Sequence, residues 1–195
     1  MKISLVALVV LSAALPAAAQ QPPQEPPTVA AFVRNLYMGR KTETVRSAEK
    51  MPEEFYGLRP GDQPEVRTFG QHLAHIATFN FLWCSEAKGE ANPNAGVNLE
   101  KTLKTKAEFL KALNDSFAYC DGAYNSLTDA SGAQVLDITQ EGGRRTRLPR
   151  MGLLILNLGH DDEVYGSIVT TMRMKNIVPP ASEPRPRRGE GPQRQ

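Results

Sequence analysis

The stretch Leu103–Leu127, LKTKAEFLKALNDSFAYCDGAYNSL, decides the fold. Leu103, Leu110, Leu113, Phe117, Cys120, Tyr124 and Leu127 advance in steps of three and four once Ala107 fills the first gap. Such steps place them on one face of a long amphipathic helix. The same periodicity marks three more helices on either side. The first starts near Thr28 with Val29, Phe32, Val33, Leu36 and Tyr37 at helical spacing. It runs to about Lys50, because Pro52, Gly57 and Pro60 punctuate the next stretch of chain. The second opens at Thr68, where Thr68-x-x-Gln71 matches a capping box, and carries Phe69, Leu73, Ile76 and Trp83 as its apolar stripe. The fourth starts after Pro149, a residue suited to a helix start, and spans Met151 to about Lys175 with Leu153, Leu156, His160, Val164 and Ile168 along its inner face. No convincing strand alternation is present. Val135–Ile138 is the best candidate, inside a Gly- and Arg-rich connection. The expectation is an all-α four-helix bundle.

Composition narrows the function. The chain has 195 residues, 41% of them hydrophobic and 23% charged, which suits one globular domain with a proper core. A formal charge of +2, without a basic stripe interleaved with aromatics, argues against nucleic acid as a partner. Lys2, the apolar run Ile3–Leu15 and the small residues Ala17-Ala18-Ala19 form a signal-peptide pattern over residues 1–19, with Gln20 as the mature N-terminus. The run is shorter than the roughly 20 apolar residues of a membrane span, so no transmembrane segment is expected after cleavage. The alternative is an uncleaved anchor. The expected location is exported, periplasmic or secreted. Residues 20–27 read as a flexible leader, 28–178 as the bundle, and 179–195 as a disordered Pro/Arg tail with too little apolar surface to order itself. The tail's arginines suit an acidic surface or simply solvent.

The chain contains three histidines. His72 and His75 lie three apart on the second helix and face roughly the same side, while His160 sits in the stripe of the fourth. Imidazoles projecting inward from different helices can build a metal site in a bundle core. A core histidine bonded to a neighbouring backbone or hydroxyl group is the alternative.

Three segments carry a family resemblance: Thr68-Phe69-Gly70-Gln71-His72-Leu73-Ala74-His75-Ile76-Ala77, Asn157-Leu158-Gly159-His160-Asp161-Asp162-Glu163-Val164-Tyr165-Gly166, and the approach Ala48-Glu49-Lys50-Met51-Pro52-Glu53-Glu54-Phe55-Tyr56-Gly57-Leu58-Arg59-Pro60. By their order and spacing they resemble the DinB/YfiT-like family over about residues 28–178. The resemblance implies a four-helix bundle with three histidine ligands: one at His75, and an H-x-x-x-H pair on the last helix beginning at His160. The second member of that pair is Val164 here, which cannot ligate. Three outcomes are open. The site is empty, or Glu163 or His72 supplies a third ligand one helical turn from a retained histidine, or the pocket has become an apolar binding cavity. A His₂-carboxylate set would suit zinc or iron, and nickel is a further possibility the resemblance admits.

Two functions from different classes therefore compete. One is an exported DinB-like protein with a degraded metal site and a binding or structural role, taking an unidentified small molecule. The other is a divalent-metal-dependent enzyme, of the thiol-dependent transferase or hydrolase type implied by the resemblance. It would use His75 and His160, with Glu163 as third ligand or general base. No G-x-S-x-G, P-loop or paired C-x-x-C motif is present. A homodimer through exposed helix faces is a further expectation.

Two features bear on the chain's path. Cys84 and Cys120 form an even pair that an oxidising compartment would allow to bond. If the second and third helices formed a simple antiparallel hairpin, the two cysteines would lie about 20 Å apart. If residues 89–101 cross over so that the helices run parallel, their depths match. Bonding is the expectation, and two packed free thiols the alternative. Arg144, Arg145, Arg147 and Arg150 cluster before the fourth helix, where they would meet the charged end of an anionic ligand or remain solvated.

Overall fold

Side-chain caps set the limits of the helices in a computed structural model that describes residues 27–139 and 145–184. Helix α1, Val29–Lys50, starts where Thr28 Oγ1 accepts from the Ala31 amide at 3.0 Å. Helix α2, Phe69–Lys88, starts at the Thr68/Gln71 capping box and stops at Gly89, whose φ of 71° is the left-handed value that favours glycine. A turn of helix, α3 (Leu99–Thr102), is capped by Asn98. Helix α4, Lys106–Asn125, opens at a second capping box made by Thr105 and Glu108. That box places Leu103 outside the long helix, in the approach to it, so the stripe expected from Leu103 is two segments. A short helix α5, Asp129–Gly132, precedes α6, Arg150–Arg173, whose first turn comes directly after Pro149 as expected.

The pairings fix the topology. Asn80 meets Ser116 and Cys84 bonds to Cys120, so α2 and α4 run parallel. At the start of this pair a Cβ on residue 70 would lie 2.7 Å from the Phe109 ring, so the close approach needs Gly70. Ala30 bonds to Asp129, Tyr37 to Phe117 and Lys106 to Met51, so α1 is antiparallel to α4. Asn80 bonds Asn157, with α2 antiparallel to α6. Ser47 meets Tyr165 and Lys50 meets Val178 in the parallel pair α1 and α6. The result is an up-down-down-up four-helix bundle whose crossover is the segment 89–105. The Cys84–Cys120 disulfide is formed, with Cα atoms 5.3 Å apart.

Three expectations need correction. First, α1 is rotated from its apparent stripe: Ala30, Val33, Tyr37, Thr44 and Ala48 are buried, whereas Phe32 is 62% exposed and Leu36 46%. Tyr37 sets this phase. Its hydroxyl donates to Phe117 O at 2.8 Å and lies 2.9 Å from Asp121, and its ring stacks on Tyr124 at 3.8 Å. Second, the Gly/Arg-rich connection contains an antiparallel ribbon, β1 (Val135–Thr139) with β2 (Arg145–Pro149), pairing Leu136 with Leu148 and Asp137 with Arg147. Ile138 is buried beneath it. The alternation Arg145-Thr146-Arg147-Leu148 is a period-two pattern too short to stand out between charges. Third, the segment from Pro179 does not begin unstructured. Pro179 and Pro180 are buried, Pro180–Ser182 forms a 3-10 turn, and Arg46 and Lys50 of α1 both pair with Glu183. Two prolines already restricted in φ lose little entropy on docking, and Glu183 finds two cations waiting.

The signal-peptide pattern, most of the leader, Arg144 and the tail from residue 185 lie outside the described residues. Among the described residues no helix is long and apolar enough to cross a membrane.

Candidate functional site

The Thr68 cap fixes where α2 begins, and so which residues of its first turns face outward. His75, Phe79 and Trp83, each four residues on, line up along one half-exposed edge of α2 facing α6. Their rings form a chain: His75 to Phe79 4.8 Å between centroids, and Phe79 to Trp83 4.8 Å. His160 of α6 closes it, 4.9 Å from His75, 4.6 Å from Phe79 and 5.2 Å from Trp83. His75 and His160 are thus brought together, as the resemblance implied.

The crossover supplies the other wall. Its α3 turn carries Glu100, whose Oε1 lies 2.7 Å from His75 Nδ1 and whose Oε2 accepts from Arg67 Nε at 2.9 Å. An ionised carboxylate only accepts, so Nδ1 of His75 carries the proton and Nε2 keeps its lone pair. Burial holds the His75 pKa below the ordinary histidine value, with Glu100 opposing. Between α2 and residues 92–101 opens a cleft of about 660 Å³, lined among others by Arg67, Gln71, His75, Phe79, Leu82 and Lys101. That volume is in the range of small-molecule sites.

Two further polar groups sit behind the histidines. Asp161 is only 1% exposed, neither carboxylate oxygen has a hydrogen-bond partner, and Oδ1 is 3.8 Å from His160 Nδ1, too far for a hydrogen bond. Burial pushes its pKa up to about 6, the nearby His160 acting in the opposite sense. His72 is buried, its Nδ1 has no hydrogen-bond partner, and burial pulls its pKa down to about 4 against the hydrogen bond its ring gives to the Thr68 backbone. His72 does not line the cleft, and Glu163 lies exposed on α6.

The sequence profile of the DinB superfamily matches residues 36–162, well over half of the chain. The chain belongs to the DinB superfamily. Its structure is similar to that of a DinB-like protein from Bacillus cereus ATCC 10987, at a TM-score of 0.61 and 16% identity over 78% of this chain and 96% of that one. A DinB-like protein from Bacillus subtilis aligns at a TM-score of 0.58 and 18% identity over 79% and 99%. At these identities the likeness speaks for the fold. No curated protein matches the chain.

The metal that the resemblance implies for this DinB chain does not fit the donors present. His75 and His160 offer two nitrogens, but the position one turn beyond His160 is Val164, 8% exposed and packed in the core. Among the described residues no group of three or more His, Cys, Asp or Glu side chains is placed to hold a metal ion. Three protein ligands are the usual minimum of a catalytic zinc site.

The arginine cluster lies elsewhere. Arg145 and Arg147 are exposed on β2, Arg147 pairing with Asp137 at 3.4 Å, and neither they nor Arg150 line the cleft. The cations of the cleft are Arg67 and Lys101, which no motif in the sequence singles out. Glu100 carries no such signal either, because it belongs to a polar crossover without periodicity. Asp161 had a signal: Leu153, Asn157, Asp161, Val164 and Ile168 advance by four, four, three and four, and all five are buried. That phase, rather than the one through Leu156, is the core-facing stripe of α6, and it puts His160 at the edge of the core.

Proposed function

We propose that this DinB superfamily chain is an exported small-molecule-binding bundle, its ancestral metal position reduced to two histidines and its cleft retained. The observation that carries this reading is the buried isopropyl group of Val164 at the place of a third donor. The cleft beside it keeps polar groups converging on an aromatic wall, as binding sites do. Export is supported by the signal-peptide pattern of residues 1–19 and by the disulfide, a bond that persists in oxidising compartments. N-terminal sequencing of the protein recovered from outside the cytoplasm is expected to begin at Gln20. An intact Met1 would sink the cleavage part of the proposal.

A second reading, a divalent-metal enzyme using His75 and His160, draws on Glu100. A ligating imidazole ordinarily gives its other ring N–H to a carboxylate, and His75 does so at 2.7 Å. Metal content of residues 20–195, purified without a histidine tag, separates the two. The binding reading expects no retained zinc, nickel or iron after incubation with excess metal and desalting. Near-stoichiometric metal, lost in both His75→Ala and His160→Ala, would replace it with the enzyme reading.

A further inference from the structure

We infer that the cleft takes a small amphiphilic carboxylate, its acid group held by Arg67 and Lys101 and its apolar part laid along Phe79 and Leu82. This deepens the binding reading above and rests on it.

Several side-chain acceptors of the cleft are already engaged: Glu100 gives one oxygen to His75 and the other to Arg67, Gln71 Oε1 takes the Thr68 amide, Asn98 Oδ1 the Lys101 amide, and Asn92 Oδ1 the Asn94 amide. The lone pair of His75 Nε2 is left over, but both cations of the lining keep N–H groups to spare. Arg67 uses Nε on Glu100, which leaves its terminal nitrogens, and Lys101 makes no ion pair among the described residues. The amide nitrogen of Gln71 is also left over, since its oxygen is the capping atom.

Two cations with N–H groups to spare, beside a carboxylate that is already engaged, favour a ligand that accepts. Arg67 and Lys101 against Glu100 leave one net positive charge at this end, which matches one carboxylate. The planar guanidinium fork also suits that group. The rest of the wall gives the ligand its other half. Phe79 and Leu82 stand one and two turns further along α2 from His75, and Val97 faces them from the crossover side of the lining. An apolar chain or ring running along α2 would cover these residues while its acid stays at the α2 N-terminal end, where Arg67 lies just before the Thr68 cap.

Trp83 reports on this directly. It is the single tryptophan of the chain, and its ring lies 4.8 Å from Phe79. The experiment is a titration of the full mature chain with sodium octanoate, monitored by Trp83 emission and by calorimetry, beside octanol and acetate. Octanoate is expected to bind saturably and at least about tenfold more tightly than either, since only it offers both halves. Arg67→Ala is expected to weaken octanoate about tenfold. Lys101→Ala, at an exposed position where folding is not at stake, is expected to weaken it roughly threefold. Octanol binding should be unchanged in both. Equal affinity for octanoate and octanol, unaltered in both variants, would overturn the inference and leave the binding reading standing. Failure of both probes to bind would overturn the inference and the binding reading together.

Discussion

Two neighbouring turns of α6 bury polar side chains in the same core and treat them differently. Around Asn157 every group is partnered: the Tyr124 hydroxyl lies 2.9 Å from Asn157 Oδ1 and 2.8 Å from Leu154 O, Asn157 Nδ2 donates to Asn80 Oδ1 at 2.9 Å, and Asn80 Nδ2 to Ser116 Oγ at 3.3 Å. The disulfide packs into this network, Cys120 Sγ 3.3 Å from Asn80 O. One turn on, the Asp161 oxygens and His160 Nδ1 are buried without hydrogen bonds, 3.8 Å apart at their nearest. Satisfied networks define a single packing, whereas an unpartnered buried carboxylate costs stability and persists where something other than stability is served. The first turn holds four helices in register. The second lies beside the cleft.

The largest expected effect comes from the satisfied side. Removing the disulfide by Cys84→Ala with Cys120→Ala releases a loop of 36 residues' separation and should lower stability by about 4 kcal/mol, read by urea denaturation. A loss under about 1 kcal/mol would break the comparison, because the cross-linked region would then carry no special weight. Next, Asn157→Leu orphans Asn80 Oδ1 and takes one acceptor from Tyr124, with an expected loss of about 2–3 kcal/mol in the same assay.

The unpartnered side should respond in the opposite direction. Asp161→Asn is expected to stabilise the fold by about 1–2 kcal/mol at pH 7, because it removes a carboxylate charge that is buried without a hydrogen bond. Linkage sets the sign. A pKa raised to about 6 means that the contribution of Asp161 is present when it is protonated, below the ordinary value of 3.8, and is lost as pH rises through about 6. The gain from the substitution should therefore shrink toward pH 4. His72 runs the other way. Lowered to about 4, its contribution is present above 6.5 and lost as pH falls through about 4. Across pH 4–6.5 Asp161 opposes His72 and the likewise depressed His75, so the wild-type profile should rise only gently with pH. Asp161→Asn should steepen that rise, and His72→Phe should flatten or reverse it. Parallel slopes in the two variants would contradict the assignment.

Val164→His is read by metal and not by stability, since a polar ring at a packed position should itself cost about 1–3 kcal/mol. Yet that substitution adds a third nitrogen one turn from His160. On the binding reading it should create a retention of divalent metal that the unsubstituted chain does not show, measured as bound zinc after desalting. No gain in metal would mean that more than the donor at this position has been lost.

The helices were legible because caps and apolar periodicity act locally: Thr68/Gln71, Pro149 and the run through Phe117, Cys120 and Tyr124 lie where the sequence places them. The crossover was reachable only through the expected bond between Cys84 and Cys120, whose depths match when the helices run parallel. The phase of α1 was not, since Phe32 and Leu36 are as apolar as Val33 and Tyr37, and a tyrosine hydroxyl reaching across to α4 decides between them. The two histidines were legible, being rare and set at spacings that topology brings together. Glu100, Arg67 and Lys101 were not, because their meeting depends on the path of a polar crossover, and nothing local encodes that path.

The disulfide joins two helices on either side of the crossover, so Cys84 and Cys120 close a covalent ring that contains every residue of the crossover wall of the cleft. A protease that nicks the exposed stretch 95–98 would open the ring without releasing a fragment. Wherever proteases and disulfides coexist, a chain cut in this wall would still migrate as one piece until reduced.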